Sequence, residues 1–402
     1  MLLQKLTKVL VSEETTENYG KASNEDFTSD NATANLVAGT PSIDASIVKV
    51  ISGNLGTGGI LDHLYLFNGA VDEASVDLTA ETYTDLTRWK DLGLAWAGTD
   101  AVLLQDSSAM TATVESLERT NINGSYVDCP SLSGAESSSG NLDLEASIKD
   151  IVGTEKGQFA GHTIVKSSLG TYVQGGANVS GNTITETAQD ASDYDLYRLA
   201  KIGESFSSLA VRVSKGGSVD NVIDFAGVRA ESLSMPITAG QLVNMSFTMT
   251  GGQFFPRDGQ TDIGTLSCGN DPFVAKKVVF NVDGTEVKVS DITLTVGNTL
   301  NPRAYVQDNG TSESVVTGKS SEISFTEDSV TLDNLKGFKA NTAKSLFVKL
   351  VNANGSEINV FYPNLRYSEV SGSSDAGVLT DSITLQAFND VSGNAVYIGT
   401  KR

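Results

Sequence analysis

"AGQLVNMSFTMTGG" spans residues 239–252. Val243, Met245, Phe247 and Met249 share one parity, and Asn244, Ser246, Thr248 and Thr250 share the other. Side chains of a strand point alternately to its two faces, so this period of two predicts a half-buried β-strand. The apolar parity needs a core. The other parity is short, neutral and able to hydrogen-bond, in a chain of formal net charge -21. What such a face looks at is the question the rest of the sequence must answer.

The chain has 402 residues, which as a soft prior allows two or three domains. Hydrophobic content of 39% is enough to bury a core. Proline is scarce (7), glycine abundant (39), and Ser, Thr, Asn and Val crowd the strand-like segments, a mixture that favours an all-β protein with many turns. Lys plus Arg number 28 against 49 Asp plus Glu. That field repels DNA and anionic membrane surfaces, whereas phosphate-gripping proteins carry the opposite sign. Residues 1–190 carry 10 basic and 26 acidic groups, and residues 191–402 carry 18 and 23, so the halves face different surroundings. Two cysteines, Cys129 and Cys268, make no disulfide framework, and unpaired thiols in a reducing compartment are expected. Lys5 and Lys8 interrupt the apolar N-terminus, which therefore does not read as a secretory signal. No run approaches the ~20 apolar residues of a membrane span. Cytoplasmic synthesis and folding are expected.

Along the chain, residues 5–12 and 44–51 read as strands, 17–40 as a long polar loop and 52–59 as a connector. Residues 81–96, "ETYTDLTRWKDLGLAW", predict a helix, with Thr79 as cap and Glu81 and Asp85 near its positive end. Strands follow at 111–118, 122–128 and 141–149. Residues 167–192 lack a large apolar cluster and predict a linker or exposed hairpin, with a domain boundary near 190. Two units are expected: a β-rich one over 1–190 and a β-sandwich over 191–402. A short helix is expected at 193–202. Strands are then predicted near 206–214, 227–235, 241–250, 276–282, 285–296, 321–326, 345–351, 356–362 and 379–388.

Two hairpins can be registered from sequence. In "VVFNVDGTEVKV", a two-residue turn at Asp283-Gly284 sets Val282 opposite Thr285, Phe280 opposite Val287 and Val278 opposite Val289. In "LFVKLVNANGSEINVFY", a three-residue loop ending at Gly355 sets Leu350 opposite Ile358, Val348 opposite Val360 and Leu346 opposite Tyr362. A two-residue turn would oppose Lys349 to Val360, so hydrophobic matching selects the longer loop. "SSGNLDLEASIK" (138–149) resembles "TAGQLVNMSFTM" (238–249) with a one-residue slip of parity, which leaves a duplicated sandwich and a single one as open alternatives.

Catalytic material is sparse. His63 and His162 sit in no zinc-binding pattern. "GESFS" (203–207) offers Ser205 but lacks the closing glycine of a nucleophile elbow. Gly318-Lys319-Ser320 matches the tail of a phosphate-binding loop, but Glu313 occupies the first glycine position and no helix pattern follows. "GTGG" (56–59) is short of a dinucleotide fingerprint. Asp190, Asp193 and Asp195, and Asp258 and Asp262, could offer oxygens to calcium but fit no EF-hand spacing and read as solvated turns. Trp89 and Trp96 fall inside the predicted helix and read as core rather than as a sugar platform. No catalytic, cofactor-binding or metal-binding residue is singled out, no cofactor is expected, and the expectation is a protein that is not an enzyme.

The run "FAGVRAESLSMPITAGQLVNMSFTMTGGQF" (225–254) resembles the second-half signature of the major tail tube proteins of long-tailed, siphovirus-like bacteriophages, at Gly227, Val228, Leu233, Ser234, Gly240, Leu242, Val243, Ser246 and Phe247. "ITLTVGNTLNPRAYV" (292–306) is similar to the family's strand and following turn at Asn298, Leu300 and Asn301. "GVLTDSITLQAFND" (377–390) resembles its closing strand, and Glu17, Tyr19 and Gly20 its opening. The likeness is strongest over 191–402, weaker over 1–50 and faint over 51–190. It implies a mainly β, tail-tube-type β-sandwich or barrel with a flanking α-helix, single or duplicated. It also implies rings, hexameric or trimers of doubled folds, that stack into a hollow tube for DNA ejection. The implied partners are other copies of the chain, with tape-measure, tail terminator and distal tail proteins. DNA would pass through the lumen without specific binding, no membrane would be involved, and the location would be the virion tail, assembled in the host bacterial cytoplasm. On this reading the neutral parity packs against neighbouring copies or lines the channel, because short hydroxyl and amide groups desolvate more cheaply than charges. The alternative is another all-β virion or surface module: decoration, adhesin or carbohydrate-binding.

Overall fold

The computed structural model describes residues 8–14, 27–28, 32–36, 47–50, 55–57, 59, 63–67, 71–85, 88–94, 101–105, 107–119, 129–149, 157–201, 204, 207–214, 220–260, 271–304, 311–328, 332–375 and 378–402. Among these residues the protein is mainly β, and most strands join one sheet of 19 strands.

The opening stretch forms the strand Asn244–Gly251, buried at every second residue. Val243, Met245, Phe247 and Met249 are all buried in the core. The strand lies between Cys129–Glu145 and Asp220–Thr238, antiparallel to both. The sheet continues through Val289–Ala304, Thr311–Asp328, Val378–Ala387 and Glu357–Asp375. Its apolar parities fall on one face: Phe247 stands between Leu142 and Leu233, and Met235, Leu294, Ile323 and Leu385 follow one another across the ladders. All of these residues join one buried cluster, to which the helix His162–Leu169 adds Ile164, Val165 and Leu169. Each fully buried side chain of this size contributes roughly 1.5–3 kcal/mol. No helix among the described residues is long and apolar enough to cross a membrane.

Both hairpin registers are found. Asp283 (φ 50) and Gly284 (φ 78) form the two-residue turn, Val282 faces Thr285, and the Val287 N–H donates to the Phe280 carbonyl (2.9 Å). The third expected pair does not form: Val289 leaves this hairpin to pair with Glu327. Leu350, Val348 and Leu346 face Ile358, Val360 and Tyr362. The Asn352 N–H donates to the Ser356 carbonyl (3.0 Å), which closes a three-residue loop with Gly355 at φ 83. The segments 138–149 and 238–249 lie side by side in one ladder, Leu144 facing Met245.

The helix expected at 81–96 is not formed. Leu78–Ala80 is a short 3-10 turn capped by Asp77, which accepts the Thr79 N–H (3.0 Å), and Trp89–Leu94 is a strand paired with His63–Phe67. Tyr83 and Trp89 join an aromatic cluster instead. Tyr83 packs on Tyr65 (4.8 Å between ring centroids) and on Trp89 (5.2 Å), and Trp89 packs on Phe67 (5.5 Å). Thr82, Thr84 and Thr87 lower helix propensity across the same window, so pairing prevails. The helix expected at 193–202 is likewise a strand, Tyr194–Leu199, held between Gly170–Ser180 and Tyr397–Lys401. It is buried on both faces, Asp195 and Arg198 included, so its residues show no period of two that would mark a strand. A helix that the sequence does not announce is His162–Leu169, whose Ser, Thr and β-branched residues conceal it. A second helix is Asp333–Ala340. The strand expected at 122–128 lies outside the described residues.

Ladders run across residue 190: Lys8–Glu13 pairs with Leu209–Ser214, Cys129–Glu145 with Asn244–Gly251, and Gly170 with Leu199. A separate core gathers Ala34, Leu36, Val48, Tyr65, Phe67 and Trp89.

Candidate interaction site

The face opposite the core carries the second parity of the opening stretch. Ser246 stands between Asp143 and Ser234, Ser234 continues to Thr295, and Thr295 to Glu322. One rung along, Thr293 faces Ser324, Ser324 faces Thr384, and Thr384 faces Glu369. Thr248 lies between Asn141 and Ser232. The result is a broad field of hydroxyls and amides interrupted by the carboxylates of Asp143, Glu322 and Glu369. Several of these groups bond within the face: the Ser246 hydroxyl to Asp143, Gln105 Nε2 to Asn244 Oδ1 (2.8 Å), and Thr250 Oγ1 to Glu231 (3.2 Å).

Two hairpins overrun this sheet at the end where Gly251 lies. Ala109–Arg119 and Cys129–Glu145 continue as a pair beyond Ser138, where the neighbouring strand stops at Gly251. Val289–Ala304 and Thr311–Asp328 continue beyond Gly297, the last residue paired with Asp220–Thr238. On its other side Thr311–Asp328 is paired only from Glu322 onward. Residues 315–321 therefore have one strand neighbour among the described residues.

Beside that edge lies a cleft of about 1020 Å³ lined by Leu199, Lys201, Glu204, Arg229, Lys319 and Phe388, among others. Lys319 points its ammonium at the C-terminal carbonyls of the packed helix, Ser168 (3.2 Å) and Leu169 (2.5 Å). Burial pushes this lysine down to about 7, against the pull of the Glu204 carboxylate. Glu204 takes a two-pronged bond from Arg198, Nη2 to Oε1 at 2.7 Å and Nη1 to Oε2 at 2.8 Å, and accepts the Lys201 N–H (2.8 Å). Arg198 holds the Glu204 carboxyl down to about 2.

The residues weighed for chemistry take structural places. Gly318-Lys319-Ser320 lies on a strand, and its lysine serves a helix end. His162 opens the packed helix, with Nδ1 2.8 Å from the Tyr197 hydroxyl. Burial, then Lys166, pushes its imidazole down to about 4. His63 lies on a strand opposite Leu94. Asp195 is buried, and its oxygens accept the Gly157 N–H (2.9 Å), the Gly175 N–H (2.7 Å) and the Tyr172 hydroxyl (3.1 Å), which spends the lone pairs a calcium ion would need. Trp89 is core. Ser205, Asp262, Cys268 and Trp96 lie outside the described residues. Only the hydroxyl parity of this site is visible in the sequence. The cleft is built from segments far apart in the chain, and no local signal marks it. No family model and no curated protein matches the sequence.

Proposed function

We propose that this chain is a structural, non-enzymatic subunit of a virion tail. Copies close into rings, the rings stack into a hollow tube, and DNA passes through during ejection without specific binding. The observation that carries the reading is the hydroxyl-and-amide face spread across the sheet, together with the edge at residues 315–321, which has one strand neighbour among the described residues. Short neutral groups lose little on desolvation and can bond to a like surface, whereas buried charges would cost several kcal/mol each unless paired. The resemblance at 225–254 adds support, since the strand that carries it holds the centre of that face. The finer fold in this reading is a tail-tube-type sandwich or barrel flanked by the helix His162–Leu169.

The partners are other copies of the chain first, then tape-measure, tail terminator and distal tail proteins. Assembly takes place in the host bacterial cytoplasm and the product resides in the virion tail. The acidic excess gives the channel wall a negative potential along which DNA slides. Negative-stain microscopy and light scattering of the purified chain at rising concentration test this. Rings or tubes are expected, and their symmetry separates a hexamer from a trimer of doubled folds. Solitary molecules at every concentration would overturn the reading and point to a decoration, adhesin or carbohydrate-binding module.

A further inference from the structure

We propose that Asn354 is a site of spontaneous deamidation in the folded protein, and that its conversion to a carboxylate releases the loop 352–356 from Asp271. This stands apart from the assembly reading and does not depend on it.

"NANGSE" (352–357) carries the tight loop between the strands Lys344–Val351 and Glu357–Asp375. Asn354-Gly355 is the one Asn-Gly step among the described residues. Asparagine loses ammonia when the backbone nitrogen of the next residue attacks its side-chain Cγ. Here the bond from the Gly355 nitrogen to Asn354 Cγ forms and the Cγ–Nδ2 bond breaks. The Gly355 N–H gives up its proton to water, and Nδ2 takes one from water and leaves as ammonia. A second water then opens the five-membered imide. Opening at Cγ gives aspartate, and opening at the backbone carbonyl gives isoaspartate.

The loop admits each step. Gly355 has no Cβ to obstruct the attack, and a built one would meet nothing within 4 Å. Ala353, Asn354 and Gly355 are exposed, so water reaches the imide. The Gly355 N–H donates to the Asn352 carbonyl at 3.2 Å, a bond in an exposed loop that opens at lower cost than the flanking ladders. Asn352 makes the contrast. Ala353 follows it, and its Oδ1 accepts the Asn354 N–H (3.1 Å) and the Ser356 N–H (2.8 Å), which holds its side chain in place. Asn281 and Asn298 are buried and precede Val282 and Thr299.

The consequence follows from what Asn354 touches. Its Nδ2 donates to Asp271 Oδ2, and Asn352 Nδ2 donates to the Asp271 carbonyl (3.3 Å). Just beyond Asp271, the Phe273 N–H donates to the Ala146 carbonyl and the Val243 N–H to the Phe273 carbonyl, both at 2.9 Å. The loop is thus tied to the entry of the strand Asn244–Gly251. A carboxylate at 354 puts a like charge against Asp271 where a hydrogen bond stood. Isoaspartate also lengthens the main chain by its Cβ.

The test incubates the full chain at mildly alkaline pH and reads it by site-resolved peptide mass spectrometry. The peptide that contains residue 354 should gain about 1 Da, ammonia being exchanged for water, and should separate into aspartate and isoaspartate forms. Asn354→Gln and Gly355→Ala should each abolish the gain at this site. Gly355→Ala also strains the turn, so Asn354→Gln, with its fold checked by circular dichroism, decides. In a second arm, Asn354→Asp should speed hydrogen exchange of the Gly355 and Ser356 amides, and more so at low salt. If a synthetic "NANGSE" peptide converts while the folded chain keeps its mass at 354, the loop is protected and the proposal is wrong. If the chain converts but Asn354→Asp exchanges at the original rate, the release from Asp271 is wrong.

Discussion

Arg212 and Asp224 face each other across Leu209–Ser214 and Asp220–Thr238, with side chains 2% and 5% exposed. Nε–Oδ1 is 2.7 Å and Nη2–Oδ2 is 3.1 Å, a two-pronged pair. Removing one partner strands a charge away from water, which costs about 3–5 kcal/mol, whereas replacing both by apolar residues of similar volume is often neutral. Asp224→Ala should therefore lower the urea midpoint sharply, and Arg212→Met with Asp224→Leu should recover most of the loss. His162 supplies a pH dependence. Its folded pKa of about 4 lies below the ordinary 6.5, so the folded state favours the neutral ring. Above 6.5 its contribution is complete; as pH falls from 6.5 to 4 the unfolded chain takes up the proton first, and stability declines by on the order of 1–3 kcal/mol. Glu204 follows in the adjoining window: its folded pKa of about 2 gives stability present above the ordinary 4.5 and lost as pH falls towards 2. Unfolding free energies measured from pH 7 to 3 should show the first decline, and His162→Gln should flatten it between 6.5 and 4.

At the scale of elements, the turns are the most legible part of the sequence because their signals are local. Gly355 sits at φ 83 with nothing within 4 Å of a built Cβ, so its conformational demand is backbone alone. Gly355→Ala should cost about 1–2 kcal/mol, read as a lower thermal midpoint, and leave the pairing of Leu350 with Ile358 intact. The same locality explains where sequence reading stops. "NTLNPRA" and "TSESVVTGK" alternate too weakly to announce strands, yet they form the overrunning hairpin because each provides the other's ladder. Tyr83 and Trp89 fall within the window 81–96 that predicts a helix, but their partners Tyr65 and Phe67 lie outside any window that could weigh them. The hydroxyl parity of 244–250 is plain in sequence, whereas its closest bond, Ser246 to Asp143, joins residues 103 apart. The cleft is invisible for the same reason. Lys319 draws attention through a phosphate-loop likeness and turns out to hold a helix end.

For the whole molecule the decisive opposition is between a net charge of -21 on every copy and the neutral hydroxyl-and-amide face at the proposed contact between copies. The first repels at long range and the second attracts at contact. Ionic strength separates them, since the Debye length shrinks from about 30 Å at 0.01 M to about 8 Å at 0.15 M. Repulsion spread over a whole subunit is then largely screened. A contact through the hydroxyl face loses less, because hydrogen bonds between neutral groups depend little on salt. Assembly should accordingly be suppressed at 0.01 M and appear at a lower protein concentration at 0.15 M, followed by light scattering. A fall in association across that range would mean that exposed charge pairs, and not the hydroxyl face and strand edges, hold the copies together.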